Sequence, residues 1–305
     1  MKIKILYHFM PWEIDYALLT FTQLKKSSYY IPDDITIEID SVLNLSSYII
    51  NWEESKIPKQ FFIEKYKNIS SLLDCYTHNP KTFIDNTLYG HLNLQKESLG
   101  SDIDYYINIC PDMYFQENLL YSLIEGAQHI KNEYFVITPQ IHKLWDNTWD
   151  EITHPKYLQV SYDQWDKVDI FDIRNDLKSG DSELSLTPTL NNKWAGWFDL
   201  YSKKTWEDLI PVHENWEGYG PHDWYSLMIT EHVKKQGVDF QQYVLEGQVI
   251  FEYSVGSLKS PNDLSSYYKN NLVLNKIPNQ RKLFESKMQE YLNKGIEMLN
   301  KKNII

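Results

Sequence analysis

Two short stretches carry side chains whose types and spacing suit chemistry at a charged leaving group. In YYINICPDMYF, residues 105–115, a hydrophobic run ends on Cys110-Pro111-Asp112. Pro111 fixes its own φ and pushes Cys110 towards an extended backbone. Carboxylate oxygen is a hard ligand suited to Mg²⁺ or Mn²⁺, whereas a thiol suits them poorly. Asp112 is therefore the candidate cation ligand, and taken alone it also reads as the start or cap of a helix near Gln116. In EGYGPHDWYSLMITEHVKKQG, residues 217–237, Gly218, Gly220 and Pro221 shape a turn before His222-Asp223 and a helical run. Proline is tolerated in a first helical turn, and the helix dipole there favours an ionised Asp223 able to accept a proton. Taken alone, that stretch also reads as a plain helix start.

Both acids need elements to position them. KIKILYHF, residues 2–9, is a short apolar run fit for a buried strand. DYALLTFTQLKK then places Leu18, Leu19 and Leu24 near helical spacing, and ITIEIDSVLN alternates apolar and acidic residues as a second strand. Helices are expected over Lys59–Lys67 and Pro80–Gln95. IDYYINIC forms a strand, Leu119, Leu120, Leu123, Ile124, Ala127 and Ile130 mark one helical face, and EYFVITPQI forms a further strand. Strand and helix alternating in this rhythm predict an α/β protein on a mainly parallel sheet, with ligands beyond the carboxyl ends of its strands. The second half is rich in tryptophan, ends a late strand in VLEGQVIFEYS, and closes on an amphipathic helix. Phe284, Met288, Tyr291, Leu292, Ile296 and Leu299 share a face of that helix, which packs on the body or meets another subunit as a homo-oligomer.

Composition narrows the classes. A net charge of −12 over 305 residues, with lysines only paired, speaks against a general nucleic-acid binder. Two cysteines allow no disulfide framework or zinc cluster, and point to a reducing, cytoplasmic setting. No run approaches a transmembrane span, and Pro11 and Glu13 interrupt the apolar start before it reaches signal-peptide length. A phosphate-binding P-loop, a dinucleotide fingerprint, a GxSxG elbow and an HExxH pair are all missing.

The order of the two acidic stretches resembles that of GT-A glycosyltransferases, inverting family-2-like members above all. Their metal-binding acidic pair ends a hydrophobic strand, and a later Glu-Asp opening a helix carries the catalytic base. The resemblance covers roughly Lys2 to Ser254, and here Cys110 and His222 each stand where the family has an acid. It implies a GT-A fold, an α/β/α sandwich with a mixed, mainly parallel sheet, over residues 1–256. A helical C-terminal extension follows over 257–305. It further implies transfer of a sugar from a UDP-, GDP- or dTDP-linked donor to a glycan, lipid or protein hydroxyl, assisted by Mn²⁺ or Mg²⁺.

Asp223, with His222 beside it, takes the catalytic position, and Asp112 the metal position. Where many members have a metal-binding histidine after the late strand, Glu252 is the substitute and His213 an alternative. Tyr7, His8 and Pro11 follow the first strand where the nucleotide base binds, and Asp40 matches the acid that ends the second strand. Asp40 reads equally as a solvent-facing residue. Gly196 lets the donor sugar approach, while Trp194, Trp197 and Trp216 read either as sugar-stacking platforms or as core. Because both signature pairs lack one acid, a catalytically inactive GT-A-like protein that binds a glycan or a partner is the alternative.

Overall fold

The computed structural model describes residues 1–83, 97, 99–100, 102–142, 147–158, 185–193, 197–210, 222–253, 264–275 and 280–305; of residues 222–224, 280, 281, 283 and 284 it describes the backbone alone. The first strand, β1 (Lys2–Phe9), has the bounds its apolar run predicts. It is followed by helix α1 (Ile14–Ser27), β2 (Thr36–Asn44), α2 (Lys59–Ser70) and β3 (Thr77–Phe83). Then come β4 (Tyr105–Ile109), β5 (Met113–Tyr114), α3 (Leu119–His129) and β6 (Tyr134–Ile141). The second half contributes β7 (Ser185–Pro188), β8 (Phe198–Ser202), α4 (His222–Lys235), β9 (Phe240–Glu252), α5 (Leu264–Asn271) and α6 (Gln280–Lys301).

The strands join in the order β3-β2-β1-β4-β8-β6-β9-β5, with β7 also on β9. β1 pairs in parallel with β2 and β4, β2 with β3, and β6 with β9, while β8 runs antiparallel to both β4 and β6. Thus β3, β2, β1, β4, β6 and β9 point one way, while β8 and the short β5 and β7 run the other way, the mixed, mainly parallel sheet expected. Side chains alternate across it. Ile3, Ile5, Tyr7 and Phe9 of β1 enter one core with α1, α2, α3 and Tyr268 of α5; Leu6 enters the other with Tyr225, Ile229 and Val233 of α4 and Met288, Tyr291 and Leu299 of α6. The result is helix, sheet and helix in three layers.

Three sequence expectations need correction. Pro80 to Phe83 are strand, because they pair with Ser41 to Asn44 of β2, and the rest of the helix expected to Gln95 lies outside the described residues. In α1 the buried face is Ile14, Ala17, Phe21 and Leu24, at true three- and four-residue steps, so Leu18 and Leu19 face outward. Asp112 does not cap a helix: it stands in the turn before β5, and α3 begins at Leu119.

The C-terminal segment packs back on the body from two sides. Asn51 and Asn275 donate backbone N–H groups to Val273 and Ile49, so the chain after α5 is stitched to the loop after β2. α6 lies with α4 in the second core. Among the described residues, no helix is long and apolar enough to cross a membrane.

Candidate active site

The turn bearing Asp112 is fixed from several directions. Backbone N–H of Cys110 donates to the Trp197 carbonyl at 2.7 Å, and that of Tyr253 to the Asp112 carbonyl at 2.6 Å. The hydroxyls of Tyr7 and Thr20 both donate to the Pro111 carbonyl at 2.9 Å, and the Gln23 amide donates to the Phe115 carbonyl at 2.7 Å. Each bond is worth about 1 kcal/mol net, so together they hold the turn in one shape. β5 then pairs antiparallel with β9, with Met113 opposite Glu252. β9 reaches that point by a register shift: Leu245 opposes Pro139 but Val249 opposes Gln140. Gly247, at φ 79°, takes up the shift in a conformation that a side chain disfavours, and its N–H donates to the Gln140 side chain.

A carboxylate not singled out in the sequence stands beside Asp112. Pro11 opens a short 3₁₀ turn after β1, and Glu13 at its end reaches back to accept the Met10 N–H at 2.7 Å. Burial pushes the Glu13 carboxyl up to about 8, and the negative charge of Asp112 pushes in the same direction; the Met10 bond and Lys269 oppose them. Pro11 at the start of the turn and Glu13 at its end mark a helical start, but nothing local announces Asp112 as its neighbour. Asp199 was also missed. It is buried in β8 opposite Asn108 of β4, and an acid inside the apolar run WFDLY is the clue.

The second acidic stretch opens α4. α4 finishes at Lys235, turns through Gly237 and enters β9 at Phe240, which pairs with Tyr134 at the start of β6. Its last turn is therefore at the amino end of the parallel strands. Its first turn carries the backbone of His222 and Asp223. The side chains of His222 and Asp223 fall outside the described residues.

Other expected site residues divide. His8 is half-buried, with Nε2 3.2 Å from the Asn44 amide nitrogen at the end of β2. Pro11 is buried and serves the turn that presents Glu13. Cys110 and Glu252 are partly exposed beside Asp112 in the chain and in register. Tyr7 is a correction: it is fully buried against Phe9 and Phe21, with its hydroxyl committed to Pro111, so it supports the turn and is closed to a ligand. Asp40 is a second. It lies mid-strand, short of the end at Asn44, and is buried between Lys4 Nζ at 3.3 Å and the Asn79 amide at 2.8 Å. Trp197 takes the core alternative, packed in the first core beside His142. Gly196, Trp194, Trp216 and His213 lie outside the described residues.

Among the described residues no group of three or more His, Cys, Asp or Glu side chains gathers as a closed metal cage. The donors nonetheless fit a hard divalent ion of the kind held by one or two carboxylates plus substrate phosphates. Asp112 offers oxygen, and its negative charge is felt at Glu13, whose carboxyl is held up chiefly by burial.

No family model and no curated protein matches the chain. Three crystal structures of S. aureus TarS are similar in fold. The fragment 1–349 with UDP-GlcNAc aligns at TM-score 0.45 and 11% identity, over 82% of this chain and 58% of that one. A second structure of that fragment aligns at TM-score 0.39 and 13% identity, over 82% and 60%. A further TarS structure aligns at TM-score 0.39 and 12% identity, over 80% and 36%. The chain thus spans less than two thirds of the length of each.

Proposed function

We propose that the chain is an inverting glycosyltransferase that moves a sugar from a nucleoside-diphosphate donor to an acceptor hydroxyl, with residues 1–256 as the catalytic body and 257–305 as its helical extension. What supports this reading is the turn that presents Asp112 after the carboxyl end of β4, together with the path of α4, which opens on His222-Asp223 and finishes at the amino end of the parallel strands. Asp223 takes the proton of the acceptor hydroxyl as its oxygen bonds to the anomeric carbon from the face opposite the leaving group. The bond from that carbon to the diphosphate oxygen breaks, and the nucleoside diphosphate leaves with the electron pair. Held by Asp112, with Glu13 and Glu252 close by, Mn²⁺ or Mg²⁺ would screen the charge of the diphosphate. The turn around Pro111 keeps Asp112 in place for that purpose, and His222 contacts acceptor or phosphate beside the base.

The test is release of nucleoside diphosphate from a panel of UDP-, GDP- and dTDP-sugars with Mn²⁺, in the wild type and in Asp112→Ala and Asp223→Ala. Release that collapses in both variants, with a product of inverted configuration, is the expected result. A retained configuration would remove Asp223 from the role of base. Cys110, standing where the resemblance has an acid, favours the second reading of a binding protein without turnover; such a protein would retain the nucleotide sugar and release none.

A further inference from the structure

The first turn of α4 needs something to hold it, and the structure shows what lies against the helix just behind it. Tyr225 is fully buried, and α6 crosses it at Gly295. A Cβ built on Gly295 would overlap the Tyr225 hydroxyl and lie 3.2 Å from its Cζ and 3.3 Å from Ile229 Cδ1. The Tyr225 ring cannot swing aside cheaply. It packs in a core with Tyr201, Trp206, Ile229, Met288 and Tyr291, and buried rings in such a core have no spare volume. A side chain at 295 would therefore be relieved chiefly by moving the helices apart. Tyr225 stands two residues from Asp223, on the same turn.

We propose that Gly295 is a positioning residue: by admitting Tyr225 against the α6 backbone, it sets the depth of the first turn of α4 and hence of Asp223. This inference rests on the glycosyltransferase reading for its consequence in catalysis, while the packing it invokes does not. The C-terminal helix thereby becomes part of the active-site apparatus. Displacement of a reacting group by about 1 Å can cost on the order of 10²-fold in rate, so a small shift at 295 has a large lever.

The test is a double-mutant cycle on the full chain with Gly295→Ala and Tyr225→Phe. Removing the hydroxyl leaves the ring carbon at 3.2 Å, a tight but tolerable contact, so the second change should relieve the first. Hydrogen exchange of the amides of residues 222–226 is measured in all four proteins, with kcat and KM for whichever donor of the panel supports release. Gly295→Ala is expected to speed exchange in that turn and lower kcat at least tenfold with KM within about twofold, and Tyr225→Phe to recover most of both. The proposal is overturned if exchange and kcat are unchanged, if the loss is only of folded protein with kcat per folded molecule intact, or if the double variant is no better than Gly295→Ala. A wild type that releases nothing from any donor ends the glycosyltransferase reading instead, and the exchange cycle still decides the packing.

Discussion

The turn at the end of β4 and the first turn of α4, the two stretches proposed to carry the chemistry, are secured in opposite ways. Around Asp112, main-chain atoms of residues 110–115 accept hydrogen bonds from β1, α1 and the residue after β9, and the Cys110 N–H donates to the residue before β8. The start of α4 is placed by the packing of the helix behind it: Tyr225 under Gly295, and Thr230 bonded to the Asn192 amide at 3.3 Å. One site is fixed by many local bonds and the other by distant contacts acting along a helix. Substitutions near Asp112 should consequently be buffered, and substitutions around α4 should propagate.

The largest expected effect removes the functional carboxylates themselves. Asp223→Ala should lower kcat by about 10²–10⁴-fold, the usual worth of a positioned general base. Asp112→Ala should lower it comparably and also blunt the response to added Mn²⁺, which Asp223→Ala should not. Steady-state release of nucleoside diphosphate across a manganese titration separates the two. If both variants lose the manganese response alike, the division of labour between the two turns is wrong.

Next in size is a change beneath both regions. Lys4 is buried on β1 between Glu38 at 2.7 Å and Asp40 at 3.3 Å on β2. Lys4→Met leaves buried Asp40 with the Asn79 amide and no cation, an arrangement that typically costs about 3–5 kcal/mol. Chemical denaturation should show that loss while kcat per folded molecule stays near wild type. A kcat defect without a stability defect would return Asp40 to the ligand site.

Much of this architecture could be read from the chain. The bounds of β1 follow from an uninterrupted apolar run, and the hydrophobic stripe of α3 fixes its buried face. The failures have physical causes. Residues 80–83 are strand because β2 offers them an open edge, and no local pattern announces that partner. Tyr7 and Asp40 take ligand positions by their order along the chain, whereas burial and committed polar atoms decide availability, and both are tertiary facts. Glu13 escaped because its importance lies in facing Asp112, a residue far along the sequence.

Glu13 offers a test by pH. Its folded pKa of about 8 lies above the ordinary 4.5, so between those values the native state holds a proton that the unfolded chain releases. Stability then falls as pH rises from 4.5 to about 8, and is level on either side of that window. Glu13→Gln keeps an acceptor for the Met10 N–H and abolishes the ionisation. In EDTA, its urea midpoint should match the wild type near pH 4.5 and exceed it progressively up to pH 8. A difference independent of pH would mean that Glu13 is solvated and does not share the surroundings of Asp112.

The smallest effect probes the buffering directly. Thr20 is fully buried, and its hydroxyl donates to the Pro111 carbonyl at 2.9 Å and lies 3.3 Å from that of Met113. Thr20→Val deletes that donor at nearly constant volume, but the Tyr7 hydroxyl still reaches the same carbonyl. Each of Thr20→Val and Tyr7→Phe should therefore cost about 1 kcal/mol, the net value of one such bond. Together they strip the part-buried Pro111 carbonyl of both side-chain donors, and an unsatisfied acceptor there costs up to about a further 1 kcal/mol. Urea denaturation of the double variant should accordingly exceed the sum of the singles. Simple additivity would mean that water reaches Pro111 when the hydroxyls are gone, and that the turn owes its shape to the sheet pairing of β5 with β9 more than to the bonds from β1 and α1.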